Sequence, residues 1–310
     1  MEKQISSGLC VAVTGAAGFI GNAVIDRILS GALGDIATLR LNDIIMFKRD
    51  GADILQGSYA DPDVRDRLIG DGVDILFHLA SLPGGASEHD PVLGKSANLD
   101  GSIALIDAAA NRGKPVLVYT SSIAVFGRNS ETVNDATALH PGGSYGTHKA
   151  MIELYLADLS RRGVIDARCV RPAGIVARPR SAFDGFATAW MSEMFHAATE
   201  QRAIAIPARP DAHIWLQSID RLADNIIHAA LIPEAALSLH RAWTLPATVI
   251  EVGTLVSSLQ SRCGDVFKVE YLGGPTDLPP LDASAALSLG FQSDGDCDAL
   301  IEAVIAQIAQ

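Results

Sequence analysis

The stretch Thr14-Gly15-Ala16-Ala17-Gly18-Phe19-Ile20-Gly21 constrains this chain more than any other feature. It follows directly on an apolar β-type run, Leu9–Thr14, and opens a helical pattern at Phe19. Glycines at i, i+3 and i+6 permit a tight turn, close approach of the backbone to a pyrophosphate, and close packing of helix on strand. The helix N-terminus adds N–H donors and a favourable dipole. A glycine-rich turn alone is also what an ordinary βα connection looks like; the strand-then-helix context is what a dinucleotide site requires.

The turn belongs to a longer rhythm. Further β-type runs are predicted at Thr38–Leu41, Asp53–Gln56, Asp74–His78, Val116–Thr120 and Ala167–Arg171. Helical patterns start at Pro62 and span about Asn98–Asn111 and Tyr145–Arg161. Strands alternating with helices read as stacked βαβ units, an α/β fold with a doubly wound, Rossmann-type parallel sheet. The unbroken apolar run Val116-Leu117-Val118 fits strands covered on both faces. After Pro172 the rhythm loosens. Residues 178–210 mix Pro and Arg with a helical stretch carrying Trp190, Met191 and Met194, which reads as a substrate-side insertion. Helical spacing returns at Ile219–Leu231, Val252–Arg262 and Asp296–Ile308, with a strand-like run at Phe267–Tyr271. The expected division is a nucleotide-binding core over 1–172 and a smaller C-terminal, mainly substrate-binding lobe over 173–310, with about 213–231 returning to the core.

Charge narrows the partners. Of 310 residues, 36 are acidic and 24 basic, a formal net charge of −12 that argues against nucleic acid or another polyanion. No run approaches the ~18 apolar residues of a membrane span, and the N-terminus carries no apolar stretch with a small-residue cleavage site. A soluble cytoplasmic protein without membrane partners is expected. The four cysteines show no CxxC spacing and the eight histidines no paired ligand spacing, so no metal is expected.

The second strand ends in Asp43, 22 residues after Gly21, where a carboxylate can accept both ribose hydroxyls and repel a 2′-phosphate. NAD is therefore favoured over NADP, with Lys48 and Arg49 read as surface loop charges. Asp61, before Pro62, reads equally as an acceptor for the adenine amino group and as a helix N-cap. Tyr145 and Lys149 stand four residues apart on one helical face. A tyrosine of ordinary pKa near ~10 is a poor base at neutral pH, and lowering it by ~3 units takes about 4 kcal/mol of preferential phenolate stabilisation. A neighbouring ammonium and a cationic nicotinamide can supply that field. Thr120-Ser121-Ser122 ends a parallel strand at the edge where open α/β sheets bind ligands, so Ser122 can hydrogen-bond the reacting oxygen.

Taken in order, these pieces resemble the extended short-chain dehydrogenase/reductases, the NAD-dependent epimerase/dehydratase family. The resemblance runs through TGAAGFIG at 14–21, Asp43, His78-Leu79-Ala80, Asn98-Leu99-Asp100-Gly101, SSIAVFG containing Ser122, YGTHK at 145–149 and Arg171-Pro172, and on to Leu281–Ser284 and Leu289–Phe291. It implies Ser122 as the substrate-orienting donor, Tyr145 as acid/base, and Lys149 as the group that lowers the Tyr145 pKa and binds the nicotinamide ribose. It further implies Gly15, Gly18, Phe19 and Ile20 at the pyrophosphate, Asp43 at the ribose, Asp61 at the adenine, Leu79 and Ala80 flanking the cofactor, and Pro172 near the nicotinamide. Asn98 is left between holding a structural water or a backbone carbonyl and making a plain helix-interior hydrogen bond.

Nucleotide-sugar epimerases of this family generally carry an Asn after the sixth-strand Arg; here Gly174 stands there. The loop 81–88, NLDG at 98–101 and the segment His213–Leu216 bring the chain nearer to the family's dehydrogenases of four-carbon sugar acids. In a protein of net charge −12, a substrate carboxylate needs a local cation. Arg178, just past the sixth strand, is the candidate for a bidentate fork, against a solvated or phosphate-facing arginine. Ser81, His213 and Trp215 are further candidate substrate contacts, although a Trp in a strand is more often core. The expected reaction is NAD-dependent oxidation of the C2 hydroxyl of a small anionic sugar acid. The competing readings are a nucleotide-sugar epimerase or dehydratase and a catalytically idle NAD-binding regulator. Ala and Leu on the Asn98–Asn111 and Tyr145–Arg161 helices point, by the same resemblance, to a homodimer.

Overall fold

The computed structural model describes residues 8–128, 131–182, 188–264 and 266–309. The segment 1–7, read above for the absence of a leader, and 183–187 of the mixed 178–210 stretch lie outside the described residues.

In chain order the elements begin with β1 (Leu9–Thr14), α1 (Phe19–Leu29), β2 (Ile36–Asp43), β3 (Asp53–Gln56), α2 (Pro62–Ile69) and β4 (Ile75–His78). There follow α3 (Gly84–His89), α4 (Pro91–Lys95), α5 (Ser102–Ala110), β5 (Val116–Thr120), α6 (Ser144–Arg161), β6 (Asp166–Arg171) and β7 (Gly174–Val176). Next come α7 (Ala189–Thr199), β8 (Ile204–Ile206), β9 (His213–Ser218), α8 (Ile219–Leu231), β10 (Ala242–Thr244) and β11 (Thr248–Glu251). The chain closes with α9 (Val252–Cys263), β12 (Val269–Tyr271), α10 (Ser284–Ser288) and α11 (Cys297–Ile308).

Among the described residues, seven strands form an all-parallel sheet in the order β10-β6-β5-β4-β1-β2-β3. Side chains alternate across it. Val11, Val13, Phe77 and Val118 pack on the face covered by α1 and α8, while Ala12, Leu76, Leu117 and Tyr119 pack on the face covered by α2, α5 and α6. The sheet is thus buried on both sides, which is why its strands read as continuous apolar runs. The strand order reverses between β1 and β4, and the crevice at a parallel sheet's C-terminal edge opens there. The glycine turn after β1 and residues 79–81 after β4 meet at that point.

α1 buries Gly21, Val24, Ile25 and Ile28, one stripe at helical spacing. Its Arg27 bonds Asp220 and Asp224 of α8, each at 2.7 Å. From Pro91 to Ala110 the chain is helical throughout, with a π turn at Ser96–Gly101 between α4 and α5.

A second core gathers α7, β9, β11, α9 and α11 around Met194, Phe195, Leu255 and Ile301. Its sheets are β11-β9-β7 and β12-β8. The segment expected to return to the main core therefore divides. α8 packs on α1, β5 and β6, whereas β9 belongs to the three-stranded sheet. A return absent from the sequence reading comes later, where Ala242–Thr244 pair with Cys169–Arg171 at the edge of the large sheet.

Candidate active site

The glycine turn owes its shape to contacts that no side chain could share. Gly15 has φ +72°, and a Cβ there would lie 2.8 Å from the Ala80 backbone. A Cβ on Gly21 would lie 2.0 Å from the Gly15 carbonyl. Gly18 is the N-cap of α1 and supplies no side-chain bond to the first turn. That turn's N–H groups are therefore left for an anion. Asp43 lies beside the turn, accepting from the Ala17 N–H at 2.9 Å and the Ile45 N–H at 3.1 Å. Phe19 and Ile20 are half-buried at the start of α1, Leu79 is buried and Ala80 half-buried opposite. A bare backbone cradle, free N–H groups and a carboxylate one strand away fit a dinucleotide. Beneath them His78 bonds Thr14 Oγ1 at 2.7 Å and Ser102 Oγ at 2.9 Å. Burial, aided by the Lys149 charge, drives its pKa down to about 3, so it stays neutral.

On the other side of the crevice, Tyr145 sits in the first turn of α6, where Gly84 of α3 covers it. Its hydroxyl shares hydrogen bonds with Ser81 and Ser122. Ser122 also accepts from the Ala124 N–H at 3.1 Å, which fixes it at the end of β5. Burial raises the Tyr145 pKa, while the two serines and the positive charge of Arg178 pull it down. Lys149 is fully buried. Its Nζ donates to the Thr120 carbonyl at 2.6 Å, lies 4.5 Å from the Tyr119 ring centre and 5.5 Å from that of Tyr145. Loss of water lowers its pKa to about 7.

Arg178 stacks its guanidinium 5.3 Å from the Phe19 ring centre, and its charge reaches Tyr145. It therefore lies between the glycine turn and the phenol. The second core holds it there: its N–H donates to Ser192 Oγ at 3.0 Å, and His196 Nε2 bonds its carbonyl at 2.8 Å. The charge that pulls on the phenol is thus one from the C-terminal half of the chain, which the Tyr/Lys spacing gave no reason to expect.

Other expected residues fall elsewhere. Trp215 is 2% exposed, packs with Val125, Phe126 and Ala150, and gives its indole N–H to the Pro279 carbonyl at 2.8 Å. Of its two readings, substrate contact and core, this packing favours the core one. His213 is exposed at the start of β9 and takes Asp277 as its partner, so the structure does not bring it to the phenol. Asp61 caps α2, accepting from the Asp63 N–H at 2.9 Å. Pro172 is buried directly after β6.

Three supporting groups escaped the sequence reading or were left open by it. Asn98, in the π turn, accepts from the Leu82 N–H at 2.6 Å and donates to its carbonyl at 2.9 Å, pinning the loop that carries Ser81. The Leu82 carbonyl is the backbone carbonyl it holds. Glu88 accepts from the Ser144 N–H at 2.6 Å, so a carboxylate from α3 caps the Tyr145 helix. Glu153 and Arg171 form a buried pair behind Lys149. The one available signal was the position of Glu153, a turn beyond Lys149 on the same helix face.

A model of the NAD dependent epimerase/dehydratase family matches residues 11–213. The chain is 31% identical to a D-erythronate dehydrogenase of Cupriavidus necator, over 94% of this chain and 97% of that one. It is 29% identical to a D-erythronate dehydrogenase of Haemophilus influenzae, over 95% and 98%. Among solved structures, a nucleoside-diphosphate-sugar epimerase from Agrobacterium tumefaciens superposes with a TM-score of 0.87 at 26% identity, covering 99% of this chain and 96% of that one.

Proposed function

From the premise that the chain belongs to the NAD-dependent epimerase/dehydratase family, we propose that it is a dehydrogenase oxidising the C2 hydroxyl of a small sugar acid of the D-erythronate kind. The observation that carries this reading is Arg178, a cation between the glycine turn and the Tyr145 phenol. A carboxylate held there in a bidentate fork leaves the adjacent carbinol at the phenol. Gly174 adds support. A Cβ at that position would lie 3.0 Å from the Trp215 carbonyl and 3.3 Å from Met191 Sδ, so the asparagine expected for a nucleotide sugar would need these neighbours to give way by a few tenths of an ångström.

Residues 1–172 would hold NAD, through the turn Gly15, Gly18, Phe19 and Ile20, Asp43 at the ribose, Asp61 at the adenine, Leu79 and Ala80 along the crevice, and Pro172 near the nicotinamide. The C-terminal half would supply Arg178 to the substrate. The chemistry that bound NAD would supply there is an acceptor for the C2 hydride. Tyr145, as phenolate, accepts the C2 hydroxyl proton; Ser122 and Ser81 hold that oxygen; Lys149, anchored on the Thr120 carbonyl, would hold the nicotinamide ribose. Pre-orientation of the carbinol and the positive field at the phenol lower the barrier. A screen of C4 to C6 sugar acids, followed by NADH absorbance, tests the reading; absence of net NADH from every acid overturns it.

The superposition on a nucleoside-diphosphate-sugar epimerase favours a second reading, in which NAD is recycled within the site. Interconversion of a nucleotide sugar without net NADH would establish it. We also propose a homodimer through Val92 and Leu93 of α4 with Met151 and Leu154 of α6, all exposed apolar side chains on helices that pack together. A light-scattering mass of one chain would refute it. No described helix is long and apolar enough to cross a membrane.

A further inference from the structure

One turn beyond Lys149, the Tyr145 helix carries a second buried charge. Glu153 is 4% exposed and receives both arms of Arg171, Nε on Oε1 at 2.9 Å and Nη2 on Oε2 at 2.7 Å. Arg171 is itself fixed at the end of β6, its guanidinium 4.9 Å from the Phe126 ring centre and 3.8 Å from Asp135. Residues i and i+4 lie ~6 Å apart along a helix on one face, and both side chains are buried, so the carboxylate acts on the ammonium across that face without a direct ion pair among the described contacts.

Lys149 needs such a neighbour. A carbonyl and an aromatic face replace only part of the hydration that a buried ammonium gives up, and a buried charge without a countercharge sheds its proton. We propose that Glu153, locked by Arg171, is the positioning residue that keeps Lys149 in its ammonium form beneath Tyr145. The proposal rests on the Ser122/Tyr145/Lys149 reading above but concerns the chain without NAD or substrate.

The groups around Lys149 leave this task to Glu153. From α6 it faces Tyr145, from β5 Tyr119, from β4 His78, and from β6 Cys169, while Arg171 of β6 reaches Glu153. Burial pushes Tyr119 and Cys169 up and His78 down, so all three are neutral at neutral pH. Arg241 and Asp135 lie further out, against Cys169 and Arg171. Burial lowers Lys149, and Glu153 is the first of the groups that pull it back up.

The test follows Lys149 in cofactor-free protein by NMR of carbon-13-labelled lysine, the resonance assigned by its loss in Lys149→Met. In Glu153→Gln the titration midpoint of Lys149 falls by ~1 unit. Glu153→Asp, which keeps the charge, returns it most of the way. The single variant strands the Arg171 charge, so Glu153→Gln/Arg171→Met is the companion. It removes the opposing cation too, and its shift has the same direction and a smaller size. Thermal unfolding confirms that each variant is folded. A midpoint unchanged in folded Glu153→Gln or in the double variant, or displaced as far by Glu153→Asp as by Glu153→Gln, overturns the proposal and leaves the pair a purely structural role. Neither substrate nor NAD enters the measurement, so a failed substrate screen leaves its outcome intact.

Discussion

On the side of the crevice proposed for the nucleotide, the cradle comes from one short stretch, 14–21, together with Asp43, and its geometry is that of a bare backbone. On the substrate side, Ser81, Ser122, Tyr145 and Arg178 converge from four separate places in the chain, and each is held by partners elsewhere: Asn98 for the Ser81 loop, Glu88 for the Tyr145 helix, Ser192 and His196 for Arg178. The first construction is local and rigid because the glycines leave no alternative. The second is assembled by tertiary packing, so its members can be altered singly without removing the cradle. Binding of nucleotide and turnover of substrate should therefore separate under mutation.

The largest separation is expected at Tyr145. Tyr145→Phe removes the proton acceptor and keeps the ring, so turnover should fall ~10²- to 10⁴-fold. Affinity for NAD, followed by fluorescence titration, should move little. A variant with wild-type turnover would remove Tyr145 from the chemistry.

Arg178→Met comes next. It keeps the aliphatic stem against Phe19 and removes the fork, and a charge-assisted bidentate contact is worth roughly 1.5–3 kcal/mol. The Michaelis constant for the sugar acid should rise ~10- to 100-fold while NAD affinity changes far less. If NAD affinity falls equally, the guanidinium belongs to the pyrophosphate, and the two sides are not independent. The reciprocal change is Gly21→Ala. Its Cβ would lie 2.0 Å from the Gly15 carbonyl, against backbone that cannot swing away. Overpacking of this kind costs ~1–3 kcal/mol, read as a lower melting temperature together with weakened NAD binding.

The same contrast explains what could be read from sequence. The turn, Asp43 and the strands of the parallel sheet were legible because a strand buried on both faces has a periodicity of its own and a glycine turn needs no distant partner. α8 begins at Ile219 as read from its spacing, because Ser218 caps it, accepting from the Arg221 N–H. Trp215 was left open between pocket and core for the opposite reason. A strand period says that a side chain is buried, not whether it lies beside a pocket or behind it, and Pro279, which takes its N–H, is 64 residues away. Glu88, Glu153 and the edge strand β10 were invisible on the same ground. A carboxylate on a helix looks solvated until the strand carrying its arginine is laid against it.

The smallest effect distinguishes the two sides by pH. His78 lies under the glycine turn with its pKa pushed down to about 3, while Lys149 lies under the phenol with its pKa lowered to about 7. In both cases the unfolded chain binds the proton more readily than the folded one, so stability rises with pH across the interval between the two pKa values. For His78 that interval runs from about 3 in the fold to the ordinary ~6.5 unfolded, and its contribution, complete above ~6.5, is lost as the pH falls. For Lys149 the interval lies higher, from about 7 to 10.5, so between pH 7 and pH 5 its contribution is nearly flat. Acidification over that range therefore acts through the nucleotide side, by ~2 kcal/mol from His78. His78→Asn, whose amide can still bridge Thr14 and Ser102, should be less destabilised than wild type between pH 7 and pH 5 by about that amount in denaturant titrations. Equal losses in the two proteins would mean that the imidazole takes up a proton within the fold, and the buried pocket beneath the turn would have to admit a charge.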